Sequence, residues 1–370
     1  MTRPRTGPVL TASDYQHLAR DLVDPDVWDF IEGGAESERT LAANVAAFDR
    51  VRLRPRVLTD VSTVDTTVSL FGADFATPIG VAPTAYHRLV DAEGEVATAQ
   101  GAGAAGALFV VSVFASRTVE DIAKASTGGL WLHLYWLSRR DVLADLIRRA
   151  ADAGYQALLL TVDAPRIGRR WRDMRNGFAI PGDVTAVNVD EAVMAVTHRG
   201  GTGRSAIAEH AAQSFDQTVT WADLAWLRSQ TSLPIVLKGI LTAEDAALAV
   251  EHGVDGIVVS NHGGRQLDGA VAALDALPEV VDAVAGAMPV LFDGGVRRGT
   301  DALVALALGA RMVLLGRPPL WALAAGGADG VAGLLQTATG ELAHAMALTG
   351  RPRLADLDRT VLSYRVGGER

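Results

Sequence analysis

Short runs of β-branched and aliphatic residues recur along this chain, each followed by a longer Ala-rich stretch whose apolar positions keep helical spacing. Eight runs stand out: PIGVAP at 78–83, ALFVVSV at 107–113, LWLHLYW at 130–136, ALLLTVD at 157–163, PIVLKG at 234–239, GIVVSN at 256–261, PVLFDGG at 289–295 and MVLLGR at 312–317. The alternation predicts βα units around a parallel sheet, and eight of them close a barrel. The fold class is therefore α/β, a (β/α)8 barrel of the TIM type in one domain, 1–370. Most steps between runs span about 20 to 35 residues, the size of one βα unit. The fourth step is about twice that, which predicts an insertion at 171–216, read as a long structureless active-site loop. It contains Arg172, Asp173, Arg175, Asp183, Asp190, Glu191, Arg199 and Arg204, with GGTG at 200–203. Ahead of the barrel, within 1–50, SDYQHLARDL and DPDVWDFIEGG read as two short capping helices, the second stopped by Gly33–Gly34.

In such a barrel chemistry sits where the strands end, on the C-terminal face. Taken in order, those ends are Pro83–Thr84–Ala85, Ser112, His133 and Tyr135, Thr161 and Asp163, Lys238, Asn261–His262, Asp293–Gly294–Gly295 and Gly316–Arg317. Six of the eight carry titratable side chains, a loading that an inert scaffold does not need and an enzyme does.

Composition narrows the class further. The chain has 370 residues, 49% hydrophobic and 21% charged, which excludes disorder. Its net charge of −9 offers no global basic field for nucleic acid or an anionic membrane. With no cysteine there is no disulfide, Zn-thiolate site, Fe–S cluster or Cys nucleophile, and no metal site is expected. MTRPRTGPVL leads into no apolar run of signal length, and no stretch approaches the ~18 apolar residues of a spanning helix. A cytoplasmic location is the expectation.

Three motifs carry candidate chemistry. SNHGGRQLDGA at 260–270 puts His262 at a strand end with Arg265 three residues on: a base active near neutral pH and a planar fork for a carboxylate, or simply a polar turn. FDGGVRRGTD and VLLGRP place glycine loops before helices with Arg297 and Arg317 at hand, an anion site in the habitual phosphate position of this fold. Lys238 could form a Schiff base, bind phosphate, stabilise an anionic cofactor or merely snorkel, and Asp163 could orient the histidine or cap a helix. Arg169–Arg170 reads as a base-rich pair that could equally be solvated. No G-x-G-x-x-G follows a strand in a dinucleotide-binding context.

Together SNHGGRQLDG, TVDAPRIGRRWRDMRNGF, LKGI, DGGVRRGTD and LGRP resemble the FMN-dependent 2-hydroxy acid oxidases and dehydrogenases, over about residues 10 to 350. WDFIEGGAESERTLAAN, MRNGFAIP and LWALAAGGADGV are most similar to the 4-hydroxymandelate oxidases of that family, which serve peptide-antibiotic biosynthesis. The resemblance implies FMN, its phosphate held near Gly295, Arg297, Gly316 and Arg317, with Asp293 beside them. It places Ala82, Thr84, Ala85, Ser112, His133, Thr161 and Lys238 around the flavin ring, Lys238 stabilising the reduced anionic form. It makes His262 the base, Asp163 the stabiliser of its imidazolium, Arg265 and Arg170 the carboxylate ligands, and Tyr135 the partner of the substrate oxygen.

Two positions depart from the family. Phe30 stands where a tyrosine usually helps hold the carboxylate, which removes one donor and suits an aromatic substrate. His133 stands where a glutamine usually meets the flavin. The function implied is oxidation of an aromatic (S)-2-hydroxy acid with dioxygen as acceptor, in a homo-oligomer, a tetramer by analogy. A dehydrogenase passing electrons to a quinone or protein, an oxidase of a small aliphatic acid, an FMN-binding isomerase and an inactive flavin module are the alternatives; Ala85 resembles the oxidase branch.

Overall fold

The computed structural model describes residues 8–189, 203 and 206–364. Eight parallel strands close a barrel: β1 (Ile79–Val81), β2 (Phe109–Ser112), β3 (Leu130–Leu134), β4 (Leu158–Thr161), β5 (Ile235–Ile240), β6 (Gly256–Val259), β7 (Val290–Asp293) and β8 (Met312–Leu315), with β8 paired back onto β1. All eight apolar runs became these strands. Their register sets Ser112 level with His133 and Thr161 level with Lys238, so functional side chains leave the barrel at one height.

Side-chain alternation then divides the core. Leu108, Val110, Trp131, Leu159, Val236, Val258, Leu291 and Leu314 fill the barrel interior, while their neighbours in sequence face the surrounding helices. The hairpin Val68–Leu70 with Ala73–Phe75 plugs the N-terminal end with Val68, Leu70 and Phe75. Interior leucines are fully buried, and truncating one to alanine costs about 2–5 kcal/mol. The barrel is therefore a packed solid, with its main cleft at the C-terminal mouth.

The N-terminal segment holds three helices rather than two. In α1 (Ala12–Leu22), Thr11 and Asp14 form a capping box, and the helix packs against the terminal helix Arg317–Leu348 on the flank of the barrel. In α2 (Pro25–Glu32), Asp24 caps the start and Gly33 ends it, as the sequence indicated. The third, α3 (Arg39–Asp49), has no side-chain cap of its own; Asp268, far away in sequence, accepts the backbone N–H groups of Ser37 and Thr40 instead. A cap supplied from the far side of the fold leaves no local signal.

The insertion also differs from a structureless loop. It begins with the helix Trp171–Asn176 and ends with the helix Ala206–Ser214. Phe178, Ile180, Val184, Ala186 and Val189 between them are buried in the main core, which is why this stretch is structured. Asp190, Glu191, Arg199, Arg204 and all of GGTG except Gly203 lie outside the described residues.

Candidate active site

The barrel mouth opens into a cleft of about 1250 Å³, counted to its open rim. Ala82, Thr84 and Ala85 follow β1, Ser112 ends β2, His133 and Tyr135 end β3, Thr161 closes β4 and Lys238 rises from β5; all line it. So do His262 and Arg265 after β6, Asp293 at the end of β7 with Gly295 and Arg297 beyond it, and Gly316 and Arg317 after β8. Phe30 reaches in from α2 and Arg170 from the start of the insertion. Asp163 does not line the cleft but lies directly behind His262.

His262 occupies the centre. Its Nδ1 is 3.0 Å from Asp163 Oδ1, and its Nε2, on the other side of the ring, is 3.4 Å from the Tyr135 hydroxyl. The carboxylate thus fixes the tautomer with the proton on Nδ1 and leaves Nε2 as a base toward the cleft. His262 has φ 59°, and Gly263 and Gly264 follow at 63° and 74°, a left-handed turn that is strained for the histidine. A Cβ on Gly264 would stand 2.5 Å from the Leu41 backbone nitrogen, so glycine there lets α3 approach the turn. Reciprocal amide hydrogen bonds of 2.8 Å between Asn44 of α3 and Asn261 lock that approach. Behind the pair, a Cβ on Gly239 would meet Asp163 Cβ at 2.5 Å, so the β5 bulge makes room for the carboxylate.

Burial keeps the His262 imidazole below its ordinary pKa, against the upward pull of Asp163 and with Lys238 adding to the decrease. For Asp163, burial pushes upward but the His262 charge and hydrogen bond outweigh it, and the carboxyl titrates below its usual range. The pair is poised with the imidazole neutral and the carboxylate charged, as a base requires.

Lys238 is not a snorkelling lysine. It is buried, with Nζ 3.0 Å from Asp293 Oδ2 and 2.9 Å from Ser260 Oγ. Ser260 donates to Asp293 Oδ1 at 2.6 Å and accepts the His262 backbone N–H, tying the lysine, the aspartate and the histidine turn together. His133 Nε2 is 2.9 Å from the Thr161 hydroxyl, while its Nδ1 is buried without a hydrogen-bond partner. Burial, reinforced by Lys238 and His262, holds this imidazole well below its ordinary pKa, so it is neutral. The Thr84 hydroxyl is fixed 2.6 Å from Nε2 of the buried His87.

Four arginines define the charge of the cleft. Arg169 is exposed, but Arg170 is buried, and its guanidinium carbon lies 5.8 Å from the centre of the Phe30 ring; that of Arg265 lies 5.4 Å from it. Phe178 stacks on Phe30 at 4.8 Å, so Phe30 is a platform under both guanidiniums. Arg297 sits over Trp321 at 5.1 Å, and Arg317 donates to the carbonyls of Ile31, Gly33 and Gly263. None of the four takes part in an ion pair among the described residues. Burial lowers their pKa values, Arg317 to about 10, and Arg265 is lowered well below its ordinary value with Arg170 and Arg317 contributing. Asp173 near Arg170 and Arg265, and Glu32 near Arg297 and Arg317, offset the desolvation in part without reaching ion-pair distance, so these buried or half-buried cations call for further counter-charge from a ligand. A cofactor phosphate toward Arg297 and Arg317 and a substrate carboxylate toward Arg170 and Arg265 meet that requirement, so these residues fit FMN together with a 2-hydroxy acid. Among the described residues no cluster of His, Asp or Glu is placed to hold a metal ion.

Several residues in or directly behind the cleft were not singled out by sequence. Ser260 stood in the quoted SNHGG motif, where a hydroxyl two residues before the histidine was the available signal. Phe114 and Phe215 flank Tyr135, with Phe215 stacked on it at 4.6 Å and Phe114 at 5.6 Å. Phe215 belongs to the end of the insertion, and nothing local indicated that its ring turns inward.

Comparison with known proteins agrees with this geometry. The FMN-dependent dehydrogenase family model matches residues 19–364. The chain is 49% identical over 341 residues to the 4-hydroxymandelate oxidase of Amycolatopsis orientalis, covering 92% of this chain and 94% of that one. It is 46% identical to the L-lactate oxidase of Nostoc sp., over 94% of this chain and 96% of its relative. The crystal structure of mandelate oxidase with (S)-4-hydroxymandelic acid superposes with a TM-score of 0.93 at 46% identity, covering 97% of this chain and 99% of the other. This chain therefore belongs to the FMN-dependent dehydrogenase family, whose members among its relatives are 2-hydroxy acid oxidases.

Proposed function

We propose that the protein oxidises an aromatic (S)-2-hydroxy acid, of the mandelate or 4-hydroxymandelate type, to the 2-oxo acid, with dioxygen reduced to hydrogen peroxide. The observation that carries this reading is the meeting, in one cleft, of the Asp163–His262 pair with two unpaired arginines, Arg170 and Arg265, among aromatic walls. FMN, when bound in the cleft, would supply the acceptor for two electrons and, in net, for the second of the two hydrogens that the alcohol loses. Arg265 and Arg170 bind the substrate carboxylate. His262 Nε2 takes the proton released as the alcohol is oxidised, and Asp163 stabilises the resulting imidazolium. The Tyr135 hydroxyl, beside Nε2, donates to the substrate oxygen as it becomes a carbonyl. Lys238, paired with Asp293, would place a cation at the barrel mouth beside the bound cofactor.

The aromatic preference is supported by Phe114, Tyr135 and Phe215, whose ring contacts are each worth about 0.5–1.5 kcal/mol beyond area burial. It is supported as well by the 4-hydroxymandelate oxidase and mandelate oxidase relatives. The finer reading includes a homo-oligomeric assembly, a cytoplasmic location and a role in peptide-antibiotic biosynthesis. No helix of the described residues is long and apolar enough to cross a membrane, and the plant relatives are named as peroxisomal.

The test is anaerobic mixing of the holoenzyme with (S)-mandelate, (S)-4-hydroxymandelate, glycolate and L-lactate while flavin bleaching is followed, then admission of air. Mandelates should exceed the small acids in kcat/KM by at least about tenfold, corresponding to about 1.4 kcal/mol. Colour should return in air with peroxide formed. Bleaching by none of the acids overturns the oxidase reading; preference for glycolate or lactate overturns the aromatic one; colour that returns only with a quinone or protein acceptor assigns a dehydrogenase.

A further inference from the structure

Next to the cleft lies a second cavity, of about 920 Å³ counted to its mouth, between the ends of β4 and β5 and the segment that closes the insertion. Its walls include Trp136, Pro165, Val219, Trp221, Leu224 and Ile240. Three side chains line both spaces: Tyr135, Thr161 and Phe215. Thr161 belongs to the barrel and Tyr135 is committed to His262. The Phe215 ring, only 6% exposed, is thus the part of the partition that chemistry does not hold in place.

Substrate orientation points the aryl group toward this partition. The arginine platform on Phe30 takes the carboxylate and His262 Nε2 with Tyr135 takes the reacting end. The aromatic flanks of Tyr135 are Phe114 and Phe215, at 5.6 and 4.6 Å, and a substituent directed away from the arginines comes to rest beside them. Backbone geometry then decides whether the surroundings close in when the ring is removed. The Asp216 N–H donates to the Trp136 carbonyl at 2.9 Å and the Ser138 N–H to the Ser214 carbonyl at 2.8 Å, so the chain on both sides of Phe215 is pinned to the extension of β3. Beyond it, Asp216 pairs with Arg140 at 2.6 Å, and that guanidinium stacks over Trp136 at 4.3 Å and Trp226 at 5.2 Å. A rigid frame does not collapse to fill a deleted ring.

We propose that the second cavity is a latent aryl subsite, closed off by Phe215, and that Phe215 limits the enzyme to single-ring 2-hydroxy acids. The proposal rests on the reading of the cleft as an aryl 2-hydroxy acid site. Removing the ring joins the two spaces; the wall beyond offers the indoles of Trp136 and Trp221 to a fused or second aromatic ring, among polar side chains that include Asp216, Gln217, Thr220 and Asp245, with no change in the reaction at the carbinol carbon.

The test compares wild type, Phe215→Leu and Phe215→Ala holoenzymes on mandelate, 2-naphthylglycolate and 4-phenylmandelate, reading anaerobic flavin reduction and kcat/KM. Phe215→Ala should raise the ratio of two-ring to one-ring acids at least tenfold, with a smaller rise for Phe215→Leu. Adding Val219→Trp, which refills the second cavity from its far wall, should cancel the gain; loosening of Tyr135 alone would be insensitive to that change. Persisting mandelate turnover with an unchanged or lower ratio overturns the proposal, as does a gain that survives Val219→Trp. If Phe215→Ala does not fold, Phe215→Leu decides by the sign of its ratio. Wild type that fails to reduce with mandelate overturns the parent reading instead, so the two failures are distinct.

Discussion

Replacing Asp163 by asparagine isolates the charge behind the base. The asparagine Oδ1 can still accept the His262 Nδ1–H, so the tautomer survives while the negative charge is lost. At the observed 3.0 Å, and with side chains only 12% and 18% exposed, the carboxylate and an imidazolium attract one another. Coulomb's law sets an upper value of about 5–6 kcal/mol at an effective dielectric constant near 20, and breaking buried pairs by mutation costs about 3–5 kcal/mol. The imidazolium exists only after proton transfer, so this loss falls on the barrier and not on substrate binding. Flavin reduction should slow by between about a hundredfold and a few thousandfold. The assay is anaerobic stopped-flow reduction at saturating substrate with the substrate dissociation constant measured alongside; that constant should stay within a few-fold of wild type. The low-pH limb should also move further down, because Asp163 is what draws the His262 pKa upward. A reduction rate within about threefold of wild type, with an unmoved limb, would refute the role of this carboxylate.

Activity in the unmodified enzyme should be present above the His262 pKa and lost as pH falls through it, because only the neutral imidazole accepts a proton. Since burial lowers that pKa, the midpoint for kcat/KM should lie below 6.5, and a midpoint clearly above it would contradict the burial argument. Arg297→Met should weaken FMN retention by about ten- to a hundredfold, the scale of a charged hydrogen bond of about 1.5–3 kcal/mol, while leaving substrate preference alone; equal flavin content on purification would place the phosphate elsewhere. Phe30→Tyr adds a donor next to the two arginines and should narrow the gap between mandelate and glycolate by about 0.5–1.5 kcal/mol. An unchanged ratio of kcat/KM values would show that the hydroxyl does not reach the carboxylate.

The barrel and most of its rim were legible in the chain because both depend on local pattern. A strand buried on both faces is written as a continuous apolar run, and the residue that ends such a run is delivered to the C-terminal mouth whatever surrounds it. That is how His133, Thr161, Lys238, His262, Asp293 and Arg317 could be assigned to one face before any contact was known. The SNHGGRQLDG motif likewise placed the histidine and arginine three residues apart on a single turn.

The features that stayed open in the sequence depended on partners distant along the chain. Helix α3 is stabilised by a cap from Asp268 and an amide clamp from Asn261, so its own residues carried no start signal. The insertion was expected to be a structureless loop from its length, yet the core takes up Phe178 and Ile180 and orders that part of it. Whether Asp163 would cap a helix or serve the histidine, and whether Lys238 would be solvated or paired, were decided by contacts across 99 and 55 positions. Sequence by itself therefore determined the class of fold and which side chains stand at the rim, through burial period and strand termini. Only the tertiary structure set the tautomer of His262, the neutrality of His133, the arginine platform on Phe30 and the Phe215 partition, since each arises from desolvation and packing among residues that meet only when the barrel closes.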